Sequence, residues 1–300
     1  MILVSGAAGN MGCRLVKGLL EKGHRVRALV LPEDPLVSRL EGLDCQVFEG
    51  DITDYESLVG AFDGVETVYH LAAVILARDP AVFASVNIQG TRNMLKGAGE
   101  AGVKHFIYVS SASVVYPEST AYSRSKRECE RWVKSYESMK YTIVRPTLCY
   151  SEDGGLEFDL FWDYLKKFPL VVPFVGWGQA LKNPVHVDDL VGGLVVLAGC
   201  EKAYNKIYNF CGGEEISIGE LARLMLRYSG RRKIVFPVPV TVCKAAALVL
   251  EKIMKNPPLT WNAVAGVTQD ANLDRSEAER DLGYKPIGVR EGFKRCFFGG

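Results

Sequence analysis

Three hundred residues, 48% hydrophobic and 24% charged, are enough for one large domain or two small ones and too apolar for a disordered chain. A formal net charge of +1 excludes a bulk electrostatic attraction to nucleic acid or an anionic membrane. The eight cysteines, at 13, 45, 129, 149, 200, 211, 243 and 296, form no C-x-x-C pair and no metal-like cluster, so scattered thiols in a reducing cytoplasm are expected and a metal centre is not.

The chain opens on Ile2-Leu3-Val4-Ser5 and passes straight into Gly6-Ala7-Ala8-Gly9-Asn10-Met11-Gly12, after which Leu15, Val16, Leu19 and Leu20 recur at helical spacing. With no basic segment ahead of it, the first run reads as a strand rather than a secretory leader. Strand, glycine turn and helix predict a dinucleotide pyrophosphate held by Gly6, Ala8, Gly9, Asn10, Met11 and Gly12. Glycines let the backbone turn tightly and approach the phosphates, and the first amides of the helix meet their charge. A second strand, 24–31, ends at Leu31, where an acid would bind a ribose 2′-hydroxyl or a base a 2′-phosphate. Leu31 is neither, Glu33 and Asp34 come late, and Arg39 can swing back. The cofactor is therefore NAD or NADP, with the missing acid tilting toward NADP.

A third strand, 45–52, runs into an acidic turn at Asp51 and Ile52, and Asp51 also suits the cap of a helix over 55–62. The fourth strand, 65–71, ends at Leu71-Ala72-Ala73, small enough to pass under a ribose, and its His70 reads as a packed polar residue. Asn87 opens a helical segment, and a fifth strand, 105–109, ends in serines. Beyond these, Tyr122 and Lys126 stand four apart on one helix face. A tyrosine with a free pKa near ~10 is a poor acid or base at neutral pH until an ammonium and a hydroxyl stabilise its anion. Lys126 can supply the first and Ser111 the second. Tyr136 and Lys140 repeat the spacing, but only Tyr122 follows an apolar strand that ends in serines.

The sixth strand, 141–144, leads into Arg145-Pro146-Thr147. A turn at 151–155 precedes Phe158, Phe161, Trp162, Tyr164 and Leu165, an aromatic face suited to a core and able also to roof a pocket. No apolar stretch approaches the ~20 residues of a membrane span. The nearest, 240–254, carries Lys244, Glu251 and Lys252 and reads as a buried or docking helix, with a place on a membrane surface the lesser reading.

The order of these segments resembles the extended branch of the short-chain dehydrogenase/reductase superfamily. The matching stretches are G-x-x-G-x-x-G at 6–12, G-D-I at 50–52, N-x-x-G-T at 87–91, F-I-Y-x-S-S-A at 106–112, Tyr122-x-x-x-Lys126, R-P at 145–146, H-V-D-D at 186–189 and L-G-Y-x-P at 282–286. The resemblance implies a doubly wound parallel α/β sheet, the Rossmann arrangement, formed by 1–150 with a return at 184–210. A smaller mixed α/β substrate domain would be built from 151–183 and 211–300. It implies that Tyr122 exchanges a proton, Ser111 bonds the reacting oxygen and Lys126 holds the nicotinamide ribose. It further implies adenine contacts at Asp51 and Ile52, ribose contacts at Leu71, Ala72 and Ala73, a helix kink or water held by Asn87, and nicotinamide contact at Pro146. Ser113, Thr147, Trp177 and His186 would touch substrate.

Two departures bear on that substrate. The loop from Ser111 to Tyr122 is short, with an extra residue in Val114-Val115-Tyr116, and Leu181-Lys182-Asn183 stands where sugar-nucleotide enzymes commonly carry an arginine clamp. Both favour a hydroxysteroid- or dihydroflavonol-like ketone reductase. A redox-neutral sugar-nucleotide epimerase or dehydratase is the alternative, and a non-catalytic dinucleotide-sensing protein the third reading. A homodimer through the helices after Asn87 and Tyr122 follows from the resemblance.

Overall fold

A computed structural model describes residues 1–254, 257 and 259–298. Seven strands form one parallel sheet: β1 (Ile2–Ser5), β2 (Val26–Val30), β3 (Gln46–Glu49), β4 (Thr67–His70), β5 (His105–Val109), β6 (Lys140–Pro146) and β7 (Lys206–Phe210). Their order is β7-β6-β5-β4-β1-β2-β3. The order reverses at β1, whose Ile2 pairs with Val26 of β2 on one side and Thr67 of β4 on the other. An open α/β sheet binds ligands in the crevice at such a reversal, beyond the strands' C-terminal ends.

The strands are short apolar runs because helices cover both faces of the sheet. On one face, α1 (Asn10–Glu21) contributes Leu15, Val16 and Leu19. On the other, α2 (Gly90–Glu100) and α3 (Ala121–Ser135) contribute Met94, Leu95, Ala98, Cys129 and Val133. Two further helices, α4 (Leu156–Lys167) and α5 (Val187–Val196), follow, and Leu190, Val191 and Leu194 of α5 pack beside α1. The late strand β7 pairs with β6 from Lys206↔Thr142 to Phe210↔Pro146, so a segment far along the chain completes the sheet.

A separate core gathers Tyr150, Phe158, Leu165, Val172 and Phe174 with α6 (Ile218–Tyr228) and Phe293. Then come α7 (Val240–Ile253), α8 (Trp261–Thr268), α9 (Ser276–Leu282) and α10 (Val289–Phe298). Gly283 ends α9 in the left-handed region at φ 66°, the stop its sequence announces.

Two expectations change, and the aromatic face takes the core role open to it. The helix over 55–62 is only a short 3-10 turn, Glu56–Leu58, because the Ser57 hydroxyl bonds the carbonyls of Asp51 and Asp54 and folds the segment back on itself. The aromatic face of α4 is core: Phe158 and Leu165 are buried, and Phe161, Trp162 and Tyr164 pack against the same cluster. Helix α7 is not a buried helix, since only Cys243 and Ala247 are buried while Val242, Leu248, Val249 and Ile253 are exposed.

Candidate active site

The glycine loop joins β1 to α1 at the sheet's reversal. Gly6 has φ 69°, and a Cβ there would sit 2.9 Å from the Ala72 amide; a Cβ on Gly12 would lie 2.1 Å from the Gly6 carbonyl oxygen. Helix α1 begins at Gly9 with no side-chain cap and no acid in its first turn. Its first amides therefore stay available, and the helix dipole favours an anion there. That donor set fits a dinucleotide pyrophosphate. Ala8 is buried and Met11 partly buried against the α1 core. Asn10 is tied down, its amide nitrogen donating to Ser151 Oγ at 3.1 Å and its Oδ1 accepting from Arg14 at 3.1 Å.

Around the loop, Leu71 donates its amide to the Ser5 carbonyl and Ala72 to Ser5 Oγ, and Ala73 follows, half-buried. Asp51 accepts from the Thr53 amide at 2.8 Å. Ile52 is buried and packs against Gly90, and its carbonyl accepts from Asn93. Leu31 lies one residue past β2, half-exposed at 52%, while the Arg39 guanidinium reaches back to the Ala8 carbonyl at 3.5 Å. His70 is fully buried between Ser5 Oγ at 2.7 Å and Thr91 Oγ1 at 3.0 Å, and burial lowers its pKa to about 3. It stays neutral.

The serine-rich turn follows β5. Ser111 caps the short turn Ala112–Val115, accepting from the Ser113 amide, and the two hydroxyls lie 2.9 Å apart. Arg127 grips the Val114 carbonyl with two nitrogens at 2.9 and 2.6 Å. Thr120 and Ser123 make a reciprocal capping box that fixes where α3 starts. Tyr122 lies in its first turn, its ring 6.2 Å from Phe83. Burial, with Glu157 adding to it, raises that phenol well above its ordinary range, and the Ser111 hydroxyl acts the other way.

Lys126 is buried one turn along, donating to the Val109 carbonyl at 2.8 Å and lying 4.8 Å from the centre of the Tyr108 ring. Burial brings its pKa down to about 8. Desolvation thus moves the phenol up and the ammonium down.

Asn87 supports the group. It lies in a π-helical stretch, Phe83–Gln89, and clamps the Val74 backbone through both its oxygen and its nitrogen while donating to Ser125 Oγ at 3.0 Å. This is the predicted helix irregularity.

Thr147 is buried and donates its hydroxyl to the Asn183 carbonyl at 2.7 Å. His186 is buried and caps α5, accepting from the Asp188 amide. Trp177 is 77% exposed on a turn. Pro146 closes β6 beside Phe210, and Ser113 lies beside Ser111.

Other residues had no clear signal in the sequence. Arg14 joins α1 to distant segments through Glu152 and Asp153, each at 2.7 Å, and Asp188 at 2.9 Å. Glu130, one turn past Lys126, accepts from both Arg145 nitrogens and from Ser110 Oγ, tying α3 to the ends of β5 and β6. Glu157 is exposed by its overall surface, yet the surrounding protein raises its carboxyl above the ordinary range, with Lys182 opposing.

Comparison with known proteins places this geometry. Over 95% of its length the chain is 28% identical to a 3 beta-hydroxysteroid dehydrogenase/Delta 5→4-isomerase of Mycobacterium tuberculosis, covering 86% of that protein. A UDP-glucose 4-epimerase of Vibrio cholerae is 27% identical, with 98% of this chain and 93% of that one aligned. The crystal structure of gox2253 superposes with a TM-score of 0.81 at 26% identity, covering 98% of this chain and 95% of that one. The model of the NAD dependent epimerase/dehydratase family matches residues 2–211. The chain belongs to that family and is an NAD(P)-dependent enzyme of its dehydrogenase and epimerase type.

Proposed function

We propose that the protein reduces a ketone on an uncharged, largely apolar substrate to a secondary alcohol, and can run the reverse. The observation that carries this reading is Lys126 buried one turn along α3 from Tyr122, on the helix that follows the serine turn whose Ser111 and Ser113 hydroxyls lie 2.9 Å apart. When bound, a reduced nicotinamide supplies the hydride. The chain's own residues do the rest. Ser111 holds the carbonyl oxygen, and as the carbonyl carbon accepts hydride and the C=O π bond opens, Tyr122 passes its proton to that oxygen. Lys126 holds the ribose and keeps positive charge beside the phenol.

Lys182 supports an uncharged substrate. Its ammonium is buried and spent on the carbonyls of Gly266 and Gln269, at 2.8 and 2.6 Å, near the end of α8. A cation held this way is withdrawn from clamping a diphosphate. The test offers reduced nicotinamide with apolar cyclic ketones and, separately, UDP-glucose. Loss of nicotinamide absorbance with the ketones alone is expected, whereas UDP-sugar conversion with no net absorbance change would overturn the reductase reading in favour of an epimerase.

Arg39, near the glycine loop with no acid at Leu31, supports NADP over NAD. Arg39→Ser should weaken NADPH and spare NADH. The family resemblance supports a homodimer through the helices after Asn87 and Tyr122, readable by sedimentation. The eight free thiols support a reducing cytoplasm, and among the described residues no helix is long and apolar enough to cross a membrane.

A further inference from the structure

Away from the cofactor crevice, Val171–Val175 and Ile234–Val238 make a two-stranded parallel sheet in which Ile234 pairs with Val171 and Phe236 with Pro173. Alternation along the strands turns Val172, Phe174 and Val235 into the core beside α4 and α6. The opposite face is bare: Ile234 is 67%, Phe236 58% and Val171 45% exposed, and the adjoining Leu170 70%. An apolar sheet face without a cover marks a contact surface.

The approach to this face is basic. Arg223 and Arg227, one turn apart on α6, line a single cleft with Arg231, Arg232 and Ile234, and no carboxylate lines it. Among the described residues the four guanidinium groups have no ion pair or side-chain hydrogen bond. Lys233 is used elsewhere, on the carbonyls of Leu165 and Lys166 at the end of α4. One cation would answer the negative end of α6. Four unpaired cations exceed that need, and the whole-chain charge of +1 conceals a local excess that acts within about one Debye length, ~10 Å.

We propose that this face docks on an anionic lipid bilayer, with the guanidinium groups at the phosphate level and Leu170, Ile234 and Phe236 beneath it. Charge selects the occupant. A second copy related by a twofold axis would bring the arginine cluster against itself. A dissolved anion would satisfy the arginines and leave the apolar side chains in water. An anionic bilayer takes both, as interfacial segments with basic and apolar faces do.

The test is flotation of the full chain with vesicles of phosphatidylcholine alone and of phosphatidylcholine with one-third phosphatidylglycerol. Binding to the anionic vesicles only, reversed by salt, is expected. Arg231→Gln/Arg232→Gln should weaken it by about 25-fold, roughly fivefold per cation, and Phe236→Ser by on the order of tenfold. Both variants should keep wild-type turnover of a water-soluble ketone, which shows that they fold. Wild-type binding that is absent, or equal on both vesicles, overturns the proposal. Capture of inorganic phosphate that survives Phe236→Ser, with vesicle binding untouched by that change, assigns a soluble-anion site instead. A dimer that Phe236→Ser dissociates assigns the face to a second copy.

Discussion

Replacing Glu130 tests how the reacting groups are held. Its carboxylate accepts from Arg145 Nε at 2.8 Å, Arg145 Nη2 at 2.6 Å and Ser110 Oγ at 2.7 Å. The two charged side chains are 3% and 18% exposed, so solvent screens them little. Glu130→Ala leaves the guanidinium uncompensated, a loss of about 3–5 kcal/mol for a buried pair, and orphans a hydroxyl worth about 1 kcal/mol more. At roughly 2–4 °C per kcal/mol for a domain near this size, the melting temperature should fall by on the order of 10 °C. Glu130→Leu/Arg145→Leu removes both charges and should recover most of that loss. The assay is urea and thermal unfolding of both variants, with kcat measured alongside, since Ser110 adjoins Ser111 and α3 carries Tyr122 and Lys126. A single variant within about 1 kcal/mol of wild type, or a double variant no better than the single, would refute the reasoning.

Tyr122→Phe should lower kcat by at least ~10²-fold while cofactor affinity measured by fluorescence titration stays unchanged; full turnover would remove the tyrosine from the reaction. Gly12→Ala places a Cβ 2.1 Å from the Gly6 carbonyl oxygen, so the loop must shift and cofactor affinity should fall, whereas a wild-type KM for cofactor would sink the pyrophosphate assignment. His70 and His105 have pKa values lowered by burial from 6.5 to about 3 and about 4. Between those values and 6.5 the unfolded chain binds the extra proton, so stability is full above 6.5 and falls with pH by up to ~1.4 kcal/mol per unit for each histidine. His70→Gln/His105→Gln should flatten that slope in urea titrations at graded pH. Lys126, at about 8, should impose a decline in kcat/KM above that pH, which Lys126→Arg removes whatever its residual rate.

Much of the fold was legible because parallel strands covered on both faces must be apolar along their length, and β1, β2 and β5 are buried at every position. The glycine loop was legible for a related reason, since Gly6 and Gly12 meet backbone where a side chain cannot fit. What stayed hidden was the partner each polar group would find. Arg14 bonds to residues 138, 139 and 174 positions away, and no periodicity encodes such a pairing. Thr147 and His186 have types suited to touching a substrate, but the Thr147 hydroxyl goes to the Asn183 carbonyl and His186 Nδ1 accepts from the Asp188 amide, which leaves only its Nε2 without a hydrogen-bond partner among the described residues. Lys182 stands in the segment where sugar-nucleotide enzymes commonly carry an arginine clamp, and its ammonium goes to two carbonyls near the end of α8. In each case the side chain's chemistry is visible in the sequence, and the long-range contact that spends it is not.

The same limit governs the reacting pair and gives the chemistry a direction. Spacing puts Tyr122 and Lys126 on one face and invites the inference that the cation draws a proton off the phenol. Burial works on both groups at once, raising the phenol and lowering the ammonium, and so favours the uncharged form of each. A phenol that keeps its proton is the right partner for an oxygen gaining negative charge, as in ketone reduction. It is a weak base for alcohol oxidation until the pH is high. Ser111 is the exception, because its hydroxyl acts to bring the phenol's pKa back down. Ser111→Ala should therefore slow oxidation more than reduction. A loss equal in both directions would mean that the serine orients the substrate without tuning the tyrosine.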